Sequence, residues 1–75
     1  MSLITQAIIV EKYGMRLTVD QLAELMGLAT NTLYNKIAAG KLEVPTYIDS
    51  GKRWCDFRVA AAYFDACRAR AATQV

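Results

Sequence analysis

The side chains best suited to chemistry in this sequence lie together in residues 30–36. Asn31 and Asn35 each carry an amide that donates and accepts hydrogen bonds. In a helix their spacing places them on one face, flanked by Thr32 and Tyr34. Paired amide groups can bind adenine in the major groove of DNA, Thr methyl groups suit thymine, and hydroxyls can contact phosphate. The segment therefore predicts a surface that reads base pairs.

The element before this segment is predicted to be a helix over about residues 19–26. Thr18 can cap this helix, with Gln21 three residues later as the reciprocal partner of a capping box. One apolar stripe is formed by Leu22, Leu25 and Met26. Gly27 can adopt the left-handed conformation without a Cβ penalty, so the chain can turn sharply and begin another helix.

The second helix is predicted over roughly residues 30–38, with Leu33 and Ile37 facing inward and the asparagines outward. Two exposed asparagines on an isolated helix are more often plain solvated residues. Here they follow a helix and a tight glycine turn, which together form the shape of a DNA-reading unit. The combination favours the base-reading interpretation.

Cations near this unit are candidates for phosphate contacts, which supply affinity and carry no sequence information. They are Lys36, Lys41, Lys52, Arg53 and Arg58. Lys52 and Arg53 are predicted at a hairpin tip, where an arginine could enter a narrow minor groove. Solvated lysines in turns are also common. The neighbouring acids Glu43, Asp49 and Asp56 reduce the local positive charge, which predicts modest affinity for one subunit.

An additional helix is predicted at the start of the chain, over about residues 2–13, with Gly14 as its end. Its wide apolar face is formed by Leu3, Ile4, Ala7, Ile8 and Val10. Core packing is the favoured interpretation of this face, and self-association is the alternative, because Ile9 and Tyr13 extend the apolar arc beyond one side.

Two β-type runs, residues 44–48 and 53–55, flank turn-forming residues and predict a small two-stranded hairpin. Pro45 cannot donate to a strand ladder, so the first strand begins there or lies at an edge. An isolated hairpin is marginally stable in water, and the expected apolar contacts to the helices come from Tyr47, Ile48 and Trp54.

The last helix is predicted to begin after Asp56, which acts as its cap. Phe57 and Phe64 are the expected core anchors of an apolar stripe that reaches Cys67. Residues 71–75 are expected to fray. The predicted fold class is mainly α with a small β-hairpin.

Length and composition narrow the possible function classes. A chain of 75 residues predicts one domain over 1–75, with a core of about 17–70 and no large cleft. Net charge is only +2, so an electrostatic argument must depend on where the charges lie. The hydrophobic fraction of 55% indicates tight packing or apolar surface kept for another subunit.

Catalysis is not expected, because the chain has no histidine for a Ser–His or Cys–His pair and no glycine-rich phosphate loop. No cofactor and no metal are expected either, and Cys55 and Cys67 are interpreted as two buried thiols. No segment is long enough to span a membrane, and no secretory signal is recognisable. These features predict a cytoplasmic protein without membrane partners.

Several motifs occur in a specific order along residues 17–65. They are LTVDQLAELMG at 17–27, NTLY at 31–34, GKL at 40–42 and GKRW at 51–54. This order resembles the MerR-like winged-helix domains of phage and plasmid excisionases and AlpA-type regulators. The N-terminal helix and residues 41–45 also resemble small pyocin-activator regulators.

The resemblance implies a winged helix-turn-helix whose second helix enters the major groove, with the hairpin as a wing on the minor groove or backbone. Positions matching Asn31, Thr32, Tyr34 and Asn35 carry DNA contacts in such families, and Thr30 belongs to the same predicted site. Ala29 and Asn35 depart from the pattern, which has a Ser cap and a basic residue there. Thr30 could cap the helix in place of Ala29.

The functional expectation is a sequence-specific double-stranded DNA-binding protein that acts as a transcription regulator of phage or plasmid type. An excisionase that bends attachment-site DNA is the alternative. A protein-interaction module is the alternative from another class. One subunit reads too few base pairs for genomic specificity, so homo-oligomers or cooperative assembly on DNA, or contacts to a recombinase or RNA polymerase, are expected. Self-association would use the first helix or the side of the last helix that carries Ala62 and Tyr63.

Overall fold

The computed structural model describes residues 3–73, which form a mainly helical fold with a small antiparallel sheet. The elements are α1 (Leu3–Tyr13), β1 (Arg16–Thr18), α2 (Val19–Met26), α3 (Thr30–Ala38), β2 (Tyr47–Asp49), β3 (Lys52–Asp56) and α4 (Phe57–Thr73). The predicted bounds of α2 and α3 are confirmed. Of the predicted first helix, residue 2 lies outside the described residues. Within residues 3–73, no helix is both long and apolar enough to traverse a lipid bilayer.

The predicted hairpin is present as β2 and β3, and a third strand that the sequence did not predict, β1, extends it to a sheet in the order β1-β3-β2. The connector after α1 pairs with β3 in an antiparallel register that joins Arg16 to Asp56 and Leu17 to Cys55. β2 lies at an edge, as Pro45 predicts, and begins only at Tyr47. β1 pairs with one edge of β3 and β2 with the other, so the central strand is hydrogen-bonded along both edges.

Side-chain alternation along the strands determines which residues reach the core. Leu17 and Cys55 are paired across β1 and β3, and both are almost completely buried. Tyr47 and Trp54 therefore occupy the opposite face of the sheet. Tyr47 is 42% exposed and Ile48 59% exposed. Tyr47, Ile48 and Trp54 neither belong to the buried core nor pack against it, so the prediction that they attach the hairpin to the helical core is wrong; Cys55 connects β3 with the core instead.

Among residues 3–72, eleven buried side chains form the core, which joins α1, the sheet and the remaining helices. They are Ile9, Leu17, Val19, Leu22, Ala23, Leu33, Val44, Cys55, Phe57, Ala60 and Ala61. Phe64 lies two turns beyond Phe57, where α4 runs beside α1; it is half-buried and packs edge-on against Tyr63 at 5.4 Å. The expectation that Phe64 is a core anchor is therefore wrong, whereas Phe57 is confirmed.

Helix α1 uses a different face from the predicted one. Ile9 is its buried residue, with Val10 and Tyr13 partly buried beside it. The side chains of Leu3, Ile4 and Ile8 are 79%, 73% and 62% exposed. Gly14 ends the helix as predicted, with a φ of 90° and its N–H donating to the carbonyl of residue 10 at 2.8 Å. An apolar strip of α1 therefore faces outward.

The connection from β1 to α3 is built as the sequence predicts. Thr18 Oγ1 accepts from the Gln21 N–H at 3.2 Å, and Gln21 Oε1 accepts from the Thr18 N–H at 3.0 Å, which completes the capping box. Gly27 adopts the left-handed conformation at φ 73° and ends α2. Ala29 occupies the N-cap of α3 without a side-chain hydrogen bond. Capping by Thr30 is therefore wrong, because Thr30 is already the first helical residue.

Helix α4 begins at Phe57, and Asp56 caps it by accepting the N–H of Arg58 on Oδ1 at 2.8 Å. The helix continues through Ala71 to Thr73, where a frayed end was expected, and residues 74 and 75 lie outside the described part. Of the two free thiols, Cys55 is buried but Cys67 is only half-buried. Burial, with a smaller effect of the Asp56 charge, raises the pKa of Cys55 to about 11.

Candidate nucleic-acid interface

The outward face of α3 carries polar side chains that form no hydrogen bond or ion pair with other described side chains. Leu33 is fully buried beneath this face, and Ile37 packs against the core from the same side. Asn31, Thr32, Tyr34 and Asn35 are exposed, whereas Thr30 is half-buried at the start of the helix. The predicted inward and outward faces are confirmed. The amide groups are thus free to bind an external partner.

A cleft of about 360 Å³ connects this face with the β2–β3 hairpin. Its walls are the start of α2, one turn of α3 and the hairpin turn. The lining residues are Thr18, Val19, Asp20, Tyr34, Gly51, Lys52 and Arg53. The structure therefore brings Tyr34 together with Lys52 and Arg53, while Asp20 places one acid in the same cleft.

The hairpin turn has only two residues, Ser50 and Gly51, with φ values of 53° and 79°. Positive φ at both central residues is the geometry of a type I′ turn, which matches the twist of the flanking strands. Lys52 follows the turn directly, and its Nζ lies 5.5 Å from the centroid of the Trp54 ring. Arg53 Nη1 donates to Thr46 Oγ1 at 2.8 Å. The arginine is thus anchored, and the lysine remains the more accessible cation of the pair.

The two lysines beside α3 have different surroundings. Lys36 Nζ lies 3.8 Å from Glu43 Oε1, and the other oxygen of Glu43 accepts from the Tyr63 hydroxyl at 3.1 Å. A hydrogen bond with Cys67, partial burial and the hydrogen bond to Glu43 raise the pKa of Tyr63 to about 12, so this hydroxyl stays a neutral donor at physiological pH. Lys41 is exposed and has no ion pair within residues 3–73. Lys41 is therefore the better candidate for a phosphate contact.

Arg58 does not line the cleft. Its guanidinium binds Asp56 on the preceding strand, with Nε 3.2 Å from Oδ1 and Nη2 3.3 Å from Oδ2. The Arg58 side chain holds the pKa of the Asp56 carboxyl below its usual value. The carboxylate balances the charge of Arg58, which makes this the weakest of the predicted contacts.

One contact near the hairpin was missed by sequence reasoning, namely that of Arg16 with Trp54 and Asp49. Its guanidinium stacks 3.8 Å from the centroid of the Trp54 ring and binds Asp49 Oδ2 at 2.7 Å. The alternation of Arg16, Leu17 and Thr18 as polar, apolar and polar was the only local signal for a strand there. The partner strand lies almost forty residues later, so the sequence pattern could not reveal the contact.

Comparisons with known proteins leave the geometry as the basis for interpreting this site. No family model, no curated protein and no solved structure matches the chain. The likeness to excisionases and AlpA-type regulators stays a prediction from the motif residues.

Proposed function

We propose that this protein is a sequence-specific double-stranded DNA-binding protein of the winged helix-turn-helix class, acting as a transcription regulator. In this proposal α2 and α3 are the two helices of the helix-turn-helix, α3 reads bases in the major groove, and the β2–β3 hairpin is the wing. The observation that carries it is the cleft in which Tyr34 of α3 and the cations Lys52 and Arg53 meet. A base-reading face and a phosphate-binding loop are thereby adjacent.

The dimensions and chemistry of α3 support this assignment. An α-helix with its side chains is about 10–12 Å in diameter, which fits the major groove of about 12 Å width. The Asn31 and Asn35 amides are exposed, and each can donate and accept one hydrogen bond towards adenine. Lys41 follows the C-terminal end of α3 and Lys52 lines the cleft with Tyr34, and neither lysine makes an ion pair within residues 3–73. The base contacts would determine which DNA sequence is bound, and the lysines would bind the phosphates.

The decisive experiment is a binding titration with duplexes selected from a random pool, followed by fluorescence anisotropy at several salt concentrations. We expect affinity to fall steeply with salt, because each phosphate contact releases counterions. Replacing Lys41→Gln and Lys52→Gln together should reduce the slope of log affinity against log salt by about 2. Both side chains are exposed, so folding should be unaffected.

The control is Lys12→Gln, which removes one positive charge on α1, where Lys12 binds Glu24 at 3.4 Å. This variant should keep the wild-type salt slope. A folded wild-type sample with no affinity for any duplex at low ionic strength would overturn the proposal and leave the protein-interaction alternative. An unchanged slope in the double variant would exclude both lysines from the interface.

Self-association through α1 is a second part of the proposal. The exposed strip of Leu3, Ile4 and Ile8 is apolar, whereas Tyr63 on α4 is half-buried and bound to Glu43, which favours α1 over the alternative side of α4. We expect sedimentation velocity to show a concentration-dependent increase in mass, stronger on DNA that holds several sites. Ile4→Glu with Ile8→Glu should abolish this increase without unfolding the domain. A wild-type monomer both free and on DNA would contradict the prediction.

A further inference from the structure

Three side chains on three different strands meet on the outer face of the sheet. The register pairs Arg16 with Asp56, Tyr47 with Trp54 and Asp49 with Lys52. Because side chains alternate between faces, Arg16, Trp54 and Asp49 all lie on the face opposite Leu17 and Cys55. They form a diagonal row from β1 across β3 to β2.

Their contacts are short and mutually supporting. The Arg16 guanidinium lies 3.8 Å from the centroid of the Trp54 ring and reaches over it to Asp49 Oδ2 at 2.7 Å. Trp54 Nε1 donates to the Asp49 carbonyl oxygen at 3.3 Å, and Lys52 Nζ lies 5.5 Å from the same ring. Arg16, Trp54 and Asp49, which we call the sheet clamp, thus join the first strand to the residues beside the hairpin turn.

The edge strand needs such an attachment. All three residues of β2 are exposed, and β2 pairs with β3 alone. A two-stranded ribbon has little stability of its own in water. The sheet clamp links the far end of β2 to β1, which is anchored in the core by the fully buried Leu17. The turn that presents Lys52 is thereby fixed relative to α2 and α3.

We propose that Arg16 is a positioning residue for DNA binding. Its contacts with Trp54 and Asp49 in the sheet clamp fix the hairpin turn, so that Lys52 is held towards the phosphates. The proposal rests on the proposed function and extends it to a residue that does not touch DNA. Asp49 engages the Arg16 charge, and the Trp54 ring covers one face of the guanidinium. Planar stacking and a carboxylate contact both suit arginine better than lysine.

The sharpest test is Asp49→Asn, because two models predict opposite signs. If Arg16 contacted phosphate directly, removal of its acidic partner would release a cation and strengthen binding. If the sheet clamp positions Lys52, the same change should weaken binding about threefold although it removes a negative charge. Glu11→Gln, an exposed acid on α1, is the matched control and should leave affinity unchanged or slightly increased. Equal or tighter binding by Asp49→Asn overturns the proposal.

A double-mutant cycle separates positioning from direct contact. Arg16→Met keeps an apolar stem of similar length and removes the guanidinium. We expect it to weaken binding about threefold in the wild-type background and to have almost no effect in Lys52→Gln, because the clamp acts through that lysine. If Arg16→Met weakens binding by the same factor in both backgrounds and also makes the salt slope shallower, Arg16 contacts phosphate directly and the positioning role is overturned.

The sheet clamp can also be observed without DNA. Trp54 is the only tryptophan, so its fluorescence reports on the clamp in the free protein. Arg16→Met and Asp49→Asn should both make Trp54 more accessible to acrylamide, whereas Glu11→Gln should not. Unchanged quenching in both variants would overturn the inference about Arg16 and leave the proposed function intact. Increased quenching, combined with no binding of wild-type protein to any duplex, would overturn the proposed function and its extension to Arg16 but not the clamp itself.

Discussion

Replacement of Asn31 and Asn35 together by alanine is expected to lower the affinity for a selected duplex by about 100-fold or more. Each bidentate contact between an amide and adenine contributes about 1–3 kcal/mol of discrimination, and 1.4 kcal/mol corresponds to a factor of ten. Affinity for a scrambled duplex should hardly change, because phosphate contacts are kept. Anisotropy titrations with both duplexes at one salt concentration measure the difference.

The folded state should survive this double substitution. Both asparagines are exposed, make no side-chain hydrogen bond within residues 3–73, and are replaced by a residue with higher helix propensity. Glu11→Ala on the exposed side of α1 is the control for an alanine substitution far from α3. Equal losses of affinity for the selected and the scrambled duplex would show that the asparagines contact phosphates instead of bases. No loss on either would identify them as solvated residues.

The helices of the proposed recognition unit could be predicted from sequence because their signals are local. The capping box of Thr18 and Gln21 spans three residues, and Gly27 ends α2 through its own backbone conformation. Leu33 and Ile37 lie one turn apart, so the face that carries Asn31 and Asn35 follows from helical geometry alone. These features do not depend on distant parts of the chain.

The first helix shows where such reasoning fails. Residues 7–10 are all apolar, so hydrophobicity extends around α1 and periodicity cannot select its buried side. The structure buries Ile9 and exposes Ile8, because α1 packs mainly against α4, with a smaller contact to β1. Likewise, the third strand forms only when residues 16–18 meet β3, a pairing determined by tertiary packing.

The positions of the candidate cations could be predicted, but their availability could not. Lys36 is balanced by Glu43 across the loop that follows α3, and Arg53 is anchored by Thr46 across the β2–β3 hairpin; in both pairs the residues are seven positions apart and meet only in the folded chain. Arg58 is bound by Asp56, which also caps α4. Lys41 and Lys52 are therefore the cations most open to phosphate, a distinction that requires the folded geometry.

Replacement of the fully buried Leu33 by alanine is expected to remove a large part of the stability of this domain. Leu→Ala changes at buried sites cost about 2.7–5 kcal/mol through lost burial and the remaining cavity. A domain of this size has a total stability on the order of 4–11 kcal/mol. The Tm should fall by at least about 10 °C, since each kcal/mol shifts it by about 4–8 °C. Thermal unfolding followed by circular dichroism measures the effect.

The same substitution at Leu3, which is 79% exposed on α1, should change the free energy of unfolding by less than about 0.5 kcal/mol. Leu33→Met, which conserves volume, should cost less than about 1.5 kcal/mol and retain DNA binding. Because Leu33 lies opposite Asn31 and Asn35, loss of its packing removes the support of the proposed base-reading face as well as stability. A Leu33→Ala protein with wild-type Tm would show that α3 is not held against the core by this side chain, and the outward orientation of the asparagines would lose its structural basis.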